Sequence, residues 1–233
     1  IKDPDACAEM LKEFIKRIMP DSYMIRPKIR CVLGVPTGIT VDEREMYESV
    51  LMRAGIDDIS MVNSVMLAAI GVDMPVSSDF GGFIASIGGG STEIAALSLC
   101  GIISGCSVNI GGDMIDRVLM DSISGIYNLN AGRPVVKSVK EKVCSLIRND
   151  CATAMISGID IETKTIRAQA VSADRLYDAV YYYYMNIIDA VESVINTCSP
   201  TVAAEIQRCG ITVVGGGAKI PGLAKLMSEA LRL

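Results

Sequence analysis

Three apolar runs in this sequence end abruptly on glycines. Phe83-Ile84-Ala85-Ser86-Ile87 leads into Gly88-Gly89-Gly90, the run ending at Ile110 into Gly111-Gly112, and Ile211-Thr212-Val213-Val214 into Gly215-Gly216-Gly217. Each run reads as a strand. Glycine there lets the backbone turn sharply or approach a neighbour that a side chain would block. Cys31-Val32-Leu33-Gly34-Val35 is a further short apolar strand, turned by Pro36-Thr37-Gly38. Helical patterns follow several of these ends, so the fold class is α/β with mixed strands. In open α/β sheets, ligands bind at the carboxyl ends of the strands.

The pattern between these points is regular. Residues 3–19 form an amphipathic helix, with Asp3 as cap, Pro4 in its first turn and Pro20 as its end; its stripe is Cys7, Met10, Leu11, Phe14, Ile15 and Ile18. Thr40 and Glu43 have capping-box spacing for a helix that Gly55 stops. Residues 59–62 read as a strand and 67–71 as a small-residue segment. Residues 82–110 read as a meander turning at Cys100-Gly101. A helix runs from Gly111-Gly112-Asp113 to Tyr127, a loop spans 128–133, and a helix spans 135–148 with Val136, Val139, Val143, Leu146 and Ile147 inward. Residues 153–159 and 165–171 alternate as a hairpin around Glu162-Thr163. Ser172 caps the longest helix, 173–197, whose stripe is Leu176, Val180, Tyr184, Ile187, Val191 and Val194. Pro200 opens a short helix closed by Gly210, residues 211–214 form a buried strand, and a last helix starts near Pro221-Gly222. Residues 113–171 thus read as a largely helical insertion.

Composition excludes several classes. At 50% hydrophobic the 233-residue chain is not disordered, and with 5% aromatics and no Trp its core must be aliphatic. A net charge of −5, with no basic cluster interleaved with aromatics, argues against nucleic acid as a partner. No stretch reaches the ~18 apolar residues of a membrane span. The first residues are not a signal peptide, and without an initial Met the chain is expected to be a fragment. The absence of His removes His triads and His bases. Eight cysteines without CxxC spacing read as reduced, buried thiols rather than a zinc site. Tyr181 to Tyr184 are adjacent on a helix and point in every direction. They form no single stacking platform, and one or two belong in the core.

Four segments could carry chemistry, each with a plainer alternative. Gly88-Gly89-Gly90-Ser91 offers backbone N–H groups and a hydroxyl to a phosphate, and also suits a hairpin tip. A Mg²⁺-nucleotide site needs a carboxylate as well, yet the strand carries Ser86. Gly111-Gly112-Asp113 opens a helix whose dipole favours anions, or is simply a strand-to-helix turn. Lys140-Glu141 sets a cation beside an acceptor, suited to a sugar or base, or is a solvated face. Gly215-Gly216-Gly217-Ala218 lets a flat ring or phosphate lie on backbone, or is a loop.

In combination these segments are far more specific. Val35-Pro36-Thr37-Gly38-Ile39-Thr40, Ala68-Ala69-Ile70-Gly71, Ile87-Gly88-Gly89-Gly90-Ser91-Thr92-Glu93, Ile110-Gly111-Gly112-Asp113 and Val214-Gly215-Gly216-Gly217-Ala218 follow in order along the chain. Through them the chain resembles the actin-like ATPase superfamily, most closely the MreB family of bacterial rod-shape-determining proteins. Lys140-Glu141-Lys142-Val143-Cys144 is also similar to the actin segment lining the adenosine site.

The resemblance implies a ribonuclease H-like fold of two lobes, mixed sheets flanked by helices, closing on ATP or ADP with Mg²⁺. Residues 1–77 would be the remnant of an incomplete first lobe. Residues 78–233 would be the second, with a small subdomain inserted at about 113–171. It implies self-association into cytoplasmic filaments, peripheral contact with the membrane, and cell-shape or cell-wall synthesis proteins as partners. Gly88, Gly89, Gly90 and Ser91 would form the second phosphate turn, with Gly111, Gly112 and Asp113 beside it. Lys140 and Glu141 would lie near ribose and base, and Gly215, Gly216, Gly217 and Ala218 would form the adenosine motif.

The departures are also specific. The family's first phosphate hairpin and closing C-terminal helix have no counterpart, so the strands at 31–35 and 59–62 are expected to expose an edge. Ser86 stands where the family has its Mg²⁺-associated Asp, Ser64 where it has the water-orienting Glu, and Ser91 where it has Thr. No catalytic residue or metal ligand is therefore assigned, and hydrolysis is expected to be weak or lost. The alternative is a degenerate actin-fold scaffold or chaperone-like protein that binds a protein partner without ATP turnover. A small-molecule kinase on this fold would need a catalytic Asp that the sequence does not place.

Overall fold

The computed structural model describes residues 3–19 and 27–233. The chain divides into two compact units, residues 1–67 and 68–233.

In the first unit, α1 (Pro4–Ile18) starts as expected, with the Asp3 carboxylate accepting the Ala6 N–H at 2.9 Å. Pro20, the expected stop, lies outside the described residues. The Thr40–Glu43 capping box is formed at the start of α2 (Val41–Arg53). β1 (Arg30–Val35) and β2 (Asp58–Asn63) pair in parallel from Arg30↔Asp58 to Val35↔Asn63, with α2 as the crossover that a parallel pair requires. The two strands pair only with each other among the described residues. Val35, Val50, Leu51, Ala54 and Ile56 are buried. Of the α1 stripe, Met10, Phe14 and Ile18 remain exposed. The unit boundary falls within α3 (Ser64–Gly71), so the small-residue segment is helical.

The second unit is built on a four-stranded sheet. β3 (Gly82–Ile87), β4 (Thr92–Ser98) and β5 (Gly101–Val108) form the antiparallel meander, and β9 (Thr212–Val214) joins β3 in parallel, giving the order β5-β4-β3-β9. Leu99 and Cys100 both have positive φ, as a tight two-residue hairpin requires. Phe83, Ile84, Ile94 and Leu97 are fully buried, which explains why β3 and β4 read as continuous apolar runs. α6 (Ala173–Thr197) lays its expected stripe, Leu176 to Val194, into this core. Tyr183 and Tyr184 are buried while Tyr182 is exposed, as adjacency on a helix demands.

The insertion differs from expectation. Between α4 (Gly112–Tyr127) and α5 (Arg133–Lys142), the expected loop contains a two-residue strand, β6 (Leu129–Asn130). It pairs with β7 (Thr153–Asp160), which pairs with β8 (Ile166–Ser172), so the insertion carries a three-stranded sheet as well as helices. Asn128 adopts a left-handed conformation that ends α4 and sends the chain into this sheet.

α5 stops at Lys142, six residues short of the expected end. Val143 leaves helical geometry. The Leu146 N–H then donates to the Pro221 carbonyl and the Ile147 N–H to the Ser145 hydroxyl, so Ile147 is exposed rather than inward.

Three smaller expectations also fail. The Ser172 hydroxyl makes no cap bond, and the first amide of α6, Ala173 N–H, donates instead to the Ala152 carbonyl. β9 is only half-buried, since it sits at the sheet edge. Among the cysteines only Cys144 is buried, and Cys100, Cys151 and Cys209 are exposed. All eight are free thiols. The last helices, α7 (Pro200–Cys209) and α8 (Leu223–Leu231), follow the pattern; Ser199 caps the first and Gly210, at φ +78°, closes it.

Candidate functional site

The glycine turn between β3 and β4 is pinned at both ends. The Gly88 N–H donates to the Ser91 carbonyl at 2.9 Å, and the buried Thr92 hydroxyl donates to the Ile110 carbonyl at 2.6 Å. The start of α4 docks against the turn, with Gly112 N–H donating to the Gly88 carbonyl at 2.9 Å and Asp113 N–H to the Gly89 carbonyl at 2.8 Å. Two of the amides a helix start leaves unpaired are thereby satisfied by the turn. The N–H groups of Gly89 and Gly90 have no backbone acceptor among the described residues.

A charged network lies beside this junction. Asp116, one turn into α4, is 2% exposed. The Lys140 ammonium on α5 lies 2.5 Å from its Oδ1 and donates to the Gly112 carbonyl at 2.9 Å. Arg133 at the start of α5 lies 3.6 Å from Asp116 Oδ2 and 2.6 Å from Asp113 Oδ1. A buried carboxylate needs such partners.

The third wall is the short 3₁₀ turn Gly216–Lys219 that follows β9. Gly215 leads into it at φ +90° with its Cα packed on the Ile87 backbone, a place no side chain could occupy. The buried Tyr184 hydroxyl donates to the Gly217 carbonyl at 2.9 Å. Burial pushes the Tyr184 phenol up to about 12, and pushes the neighbouring Cys144 thiol up to about 12 as well.

These walls enclose a cleft of about 590 Å³, within the size range of small-molecule sites. Of the residues expected from sequence, Gly88, Gly89, Gly112, Asp113, Lys140, Glu141, Gly216 and Gly217 line it. Gly90, Ser91, Gly111, Gly215 and Ala218 do not line it. Gly111 and Gly215 instead make the close backbone packing that shapes it. Sequence reasoning missed Asp116, Lys137 and Tyr184, and had Cys144 only as the end of the Lys140–Cys144 segment. Asp116 had a usable signal, since Asp113 and Asp116 are spaced three apart on one helix face. Tyr184 was read only as core.

The family model described as MreB/Mbl protein matches residues 1–233. The chain belongs to the MreB/Mbl family. It is 30% identical over 222 residues to the cell shape-determining protein MreB of Escherichia coli K12, covering 95% of this chain and 64% of that protein. The chain thus spans less than two thirds of that relative's length. A crystal structure of MreB5 of Spiroplasma citri bound to ADP aligns with all of this chain and 70% of its own, at TM-score 0.92 and 26% identity. The MamK double helical filament shares the fold, at TM-score 0.80 and 20% identity over 99% of this chain and 68% of its own. The expected actin-like α/β fold is therefore present.

Ser64 and Ser86 are the residues expected from sequence to stand where the family has acids. The Ser64 hydroxyl, within the first unit, donates to the Val35 carbonyl at 3.1 Å. Ser86 lies on β3, opposite Glu93. No group of three or more His, Cys, Asp or Glu side chains comes together among the described residues. Of the cleft carboxylates, Asp113 and Asp116 are both engaged by cations.

Proposed function

We propose that this chain is the nucleotide-binding part of an MreB-type actin-fold filament protein of the bacterial cell-shape machinery. The observation that carries the reading is the cleft. Four segments far apart in sequence converge there with backbone amides, a tethered ammonium, a carboxylate and glycines that leave room against the backbone. That chemistry suits an adenine nucleotide, and the ADP bound to MreB5 supports it. The phosphate chain would lie at Gly88 to Ser91 and the start of α4, and the sugar at Lys140 and Glu141. The base would lie along Gly215 to Ala218. When bound, the nucleotide supplies the charge and bulk that set the state of the filament. The chain's own residues hold and orient it.

The same reading assigns residues 1–77 to a first actin-like lobe and 78–233 to a second, with a subdomain inserted at about 113–171. It includes self-association into cytoplasmic filaments, association with cell-wall synthesis proteins and peripheral membrane contact. Among the described residues no helix is long and apolar enough to cross a membrane. With Ser64 and Ser86 at the family's acid positions, hydrolysis is weak or lost, and Mg²⁺ is held through the phosphates if at all.

Those two serines also favour a second reading, a scaffold that binds a protein partner irrespective of nucleotide. Calorimetry with ATP and ADP, with and without Mg²⁺, separates the two. Nucleotide binding accompanied by concentration-dependent polymers supports the filament reading. Absence of binding supports the scaffold. A clear Mg²⁺-dependent ATPase activity abolished by Gly89→Asp would overturn the loss of hydrolysis.

A further inference from the structure

One edge of β7 is only half-covered. Successive residues of a strand direct their backbone N–H and C=O groups alternately to its two sides. The Asp160 N–H donates to the carbonyl of Thr165, which leads into β8, and the Ile161 N–H donates to the Asn128 carbonyl on the β6 side. Even-numbered residues of β7 therefore bond toward β8, and odd-numbered ones face the β6 side. There β6 pairs with Ile159 and Asp160 alone before the chain turns into α5. Met155 and Ser157 have no strand beside that edge among the described residues.

A groove of about 430 Å³ lies at this edge. Ala154, Met155, Ile156 and Ser157 all line it. Consecutive side chains point to opposite faces, so a groove touched by all four follows the edge of the strand and not one face of the sheet. β8 holds the opposite edge. The facing wall is α5, with Val135, Val139 and Lys142. Open edges are commonly guarded by charge, Pro or a bulge. Thr153, Met155 and Ser157 carry no charge, and their register with β8 is unbroken. Met155 is 68% exposed. Lys142 is the one charged residue that lines the groove, and it too is exposed.

We propose that this edge is a docking site for an extended, acidic peptide of a partner protein. The peptide enters between β7 and α5, prolongs the line of β6 and pairs with Met155 and Ser157. Its apolar side chains lie against Val135 and Val139, and its acidic ones meet Lys142. The free edge dictates the form, because another strand answers both the N–H and the C=O of each residue at ladder spacing. Four lining residues at roughly 3.3 Å each span about 13 Å, the length of about five peptide residues. Lys142, with no carboxylate lining the groove beside it, dictates the charge. A second copy would bring a sheet behind its edge strand, and α5 stands in that place. No residue lines both this groove and the nucleotide cleft, so the inference stands apart from the nucleotide reading.

The test adds two acetylated, amidated pentapeptides, Val-Glu-Val-Glu-Val and Val-Lys-Val-Lys-Val, to the natural chain and reads amide hydrogen exchange by NMR. At saturation the acidic peptide should slow exchange of the Met155 and Ser157 amides about tenfold and leave Ile156 and Gly158, already bonded toward β8, unchanged. The basic peptide should bind about threefold more weakly or worse. Ser157→Pro removes an N–H that the ladder with β8 does not use, so the fold should survive and the acidic peptide should bind about tenfold more weakly. Should that variant fail to fold, Lys142→Glu decides, and it should reverse the preference between the two peptides. No binding of the acidic peptide at millimolar concentration overturns the proposal, as does binding that leaves Met155 and Ser157 unprotected. Equal binding of both peptides overturns the acidic partner. Protection of the same two amides that grows with chain concentration, without peptide, makes the occupant a second copy and overturns the proposal as well.

Discussion

Gly111 packs so closely on Gly89 that a β-carbon on Gly111 would stand 2.5 Å from the Gly89 carbonyl oxygen. That oxygen is backbone, and it already accepts the Asp113 N–H, so it cannot step aside. Gly111→Ala should therefore destabilise the chain by roughly 1–3 kcal/mol, the usual cost of overpacking. It should also separate the glycine turn from α4 and weaken nucleotide binding more than stability alone explains. Denaturant unfolding and calorimetry on the same samples check both. Gly90→Ala is the control, because a β-carbon there meets nothing within 4 Å. Equal effects of the two substitutions would refute the close packing.

Tyr184 and Cys144 make stability depend on alkaline pH. Burial raises the Tyr184 phenol from 10.0 to about 12 and the Cys144 thiol from 9.0 to about 12. Both groups hold their protons more tightly in the folded chain than in the unfolded one. Their contribution is complete below about pH 9 and is lost as pH rises toward about 12. Tyr184→Phe should cost about 1 kcal/mol at neutral pH, through the lost bond to the Gly217 carbonyl, and should flatten the decline between pH 10 and 12. Urea unfolding from pH 7 to 11.5 measures this. An unchanged slope would show that the phenol is not shielded.

Local chemistry made much of the fold legible. Asp3 and the Thr40–Glu43 pair announced their helices because cap bonds join residues three apart. The stripe of α6 was clear because its residues share one face along a single helix. The early end of α5 could not be read, since it depends on Leu146 donating to Pro221, a partner brought there only by the finished fold. β6 was invisible for a similar reason: two residues have no period, and only pairing with Ile159 and Asp160 makes Leu129-Asn130 a strand. In the cleft, the glycines stood out because they break apolar runs. Asp116 did not, because its partners Lys140 and Arg133 lie on a different helix.

Thiol reactivity should rank the cysteines by burial. At pH 8 a thiol raised to about 12 is ionised in about one molecule in 10⁴, and only the thiolate reacts. Iodoacetamide should modify the exposed Cys100, Cys151 and Cys209 first and Cys144 only on unfolding. Bound ADP should leave the first three rates unchanged and slow Cys144 further, because Cys144 lines the cleft. Peptide mapping over time reads all four rates. Early modification of Cys144 in the folded chain would contradict its burial.

Asp160 should hold the β7–β8 hairpin in a pH-dependent way. Its Oδ1 accepts the Thr163 N–H at 2.9 Å and the Glu162 N–H at 3.0 Å, while Arg167 lies 3.1 Å from Oδ2. The bond from Thr163, with further help from Glu162 and Arg167, holds the carboxyl below its ordinary value of 3.8. The folded chain therefore releases this proton more readily than the unfolded chain. The stabilisation is present above about pH 3.8 and is lost as pH falls through the lower folded value. Asp160→Ala removes the turn's acceptor at every pH, whereas Asp160→Asn keeps one neutral oxygen. Hydrogen exchange should show the Glu162 and Thr163 amides protected at pH 6 in the natural chain, partly protected in Asp160→Asn and unprotected in Asp160→Ala. As the pH is lowered below 3.8, protection in the natural chain should fall toward that of the alanine variant. Equal protection of these amides in all three chains at pH 6 would mean that the β-ladder alone closes the hairpin and Asp160 only decorates its turn.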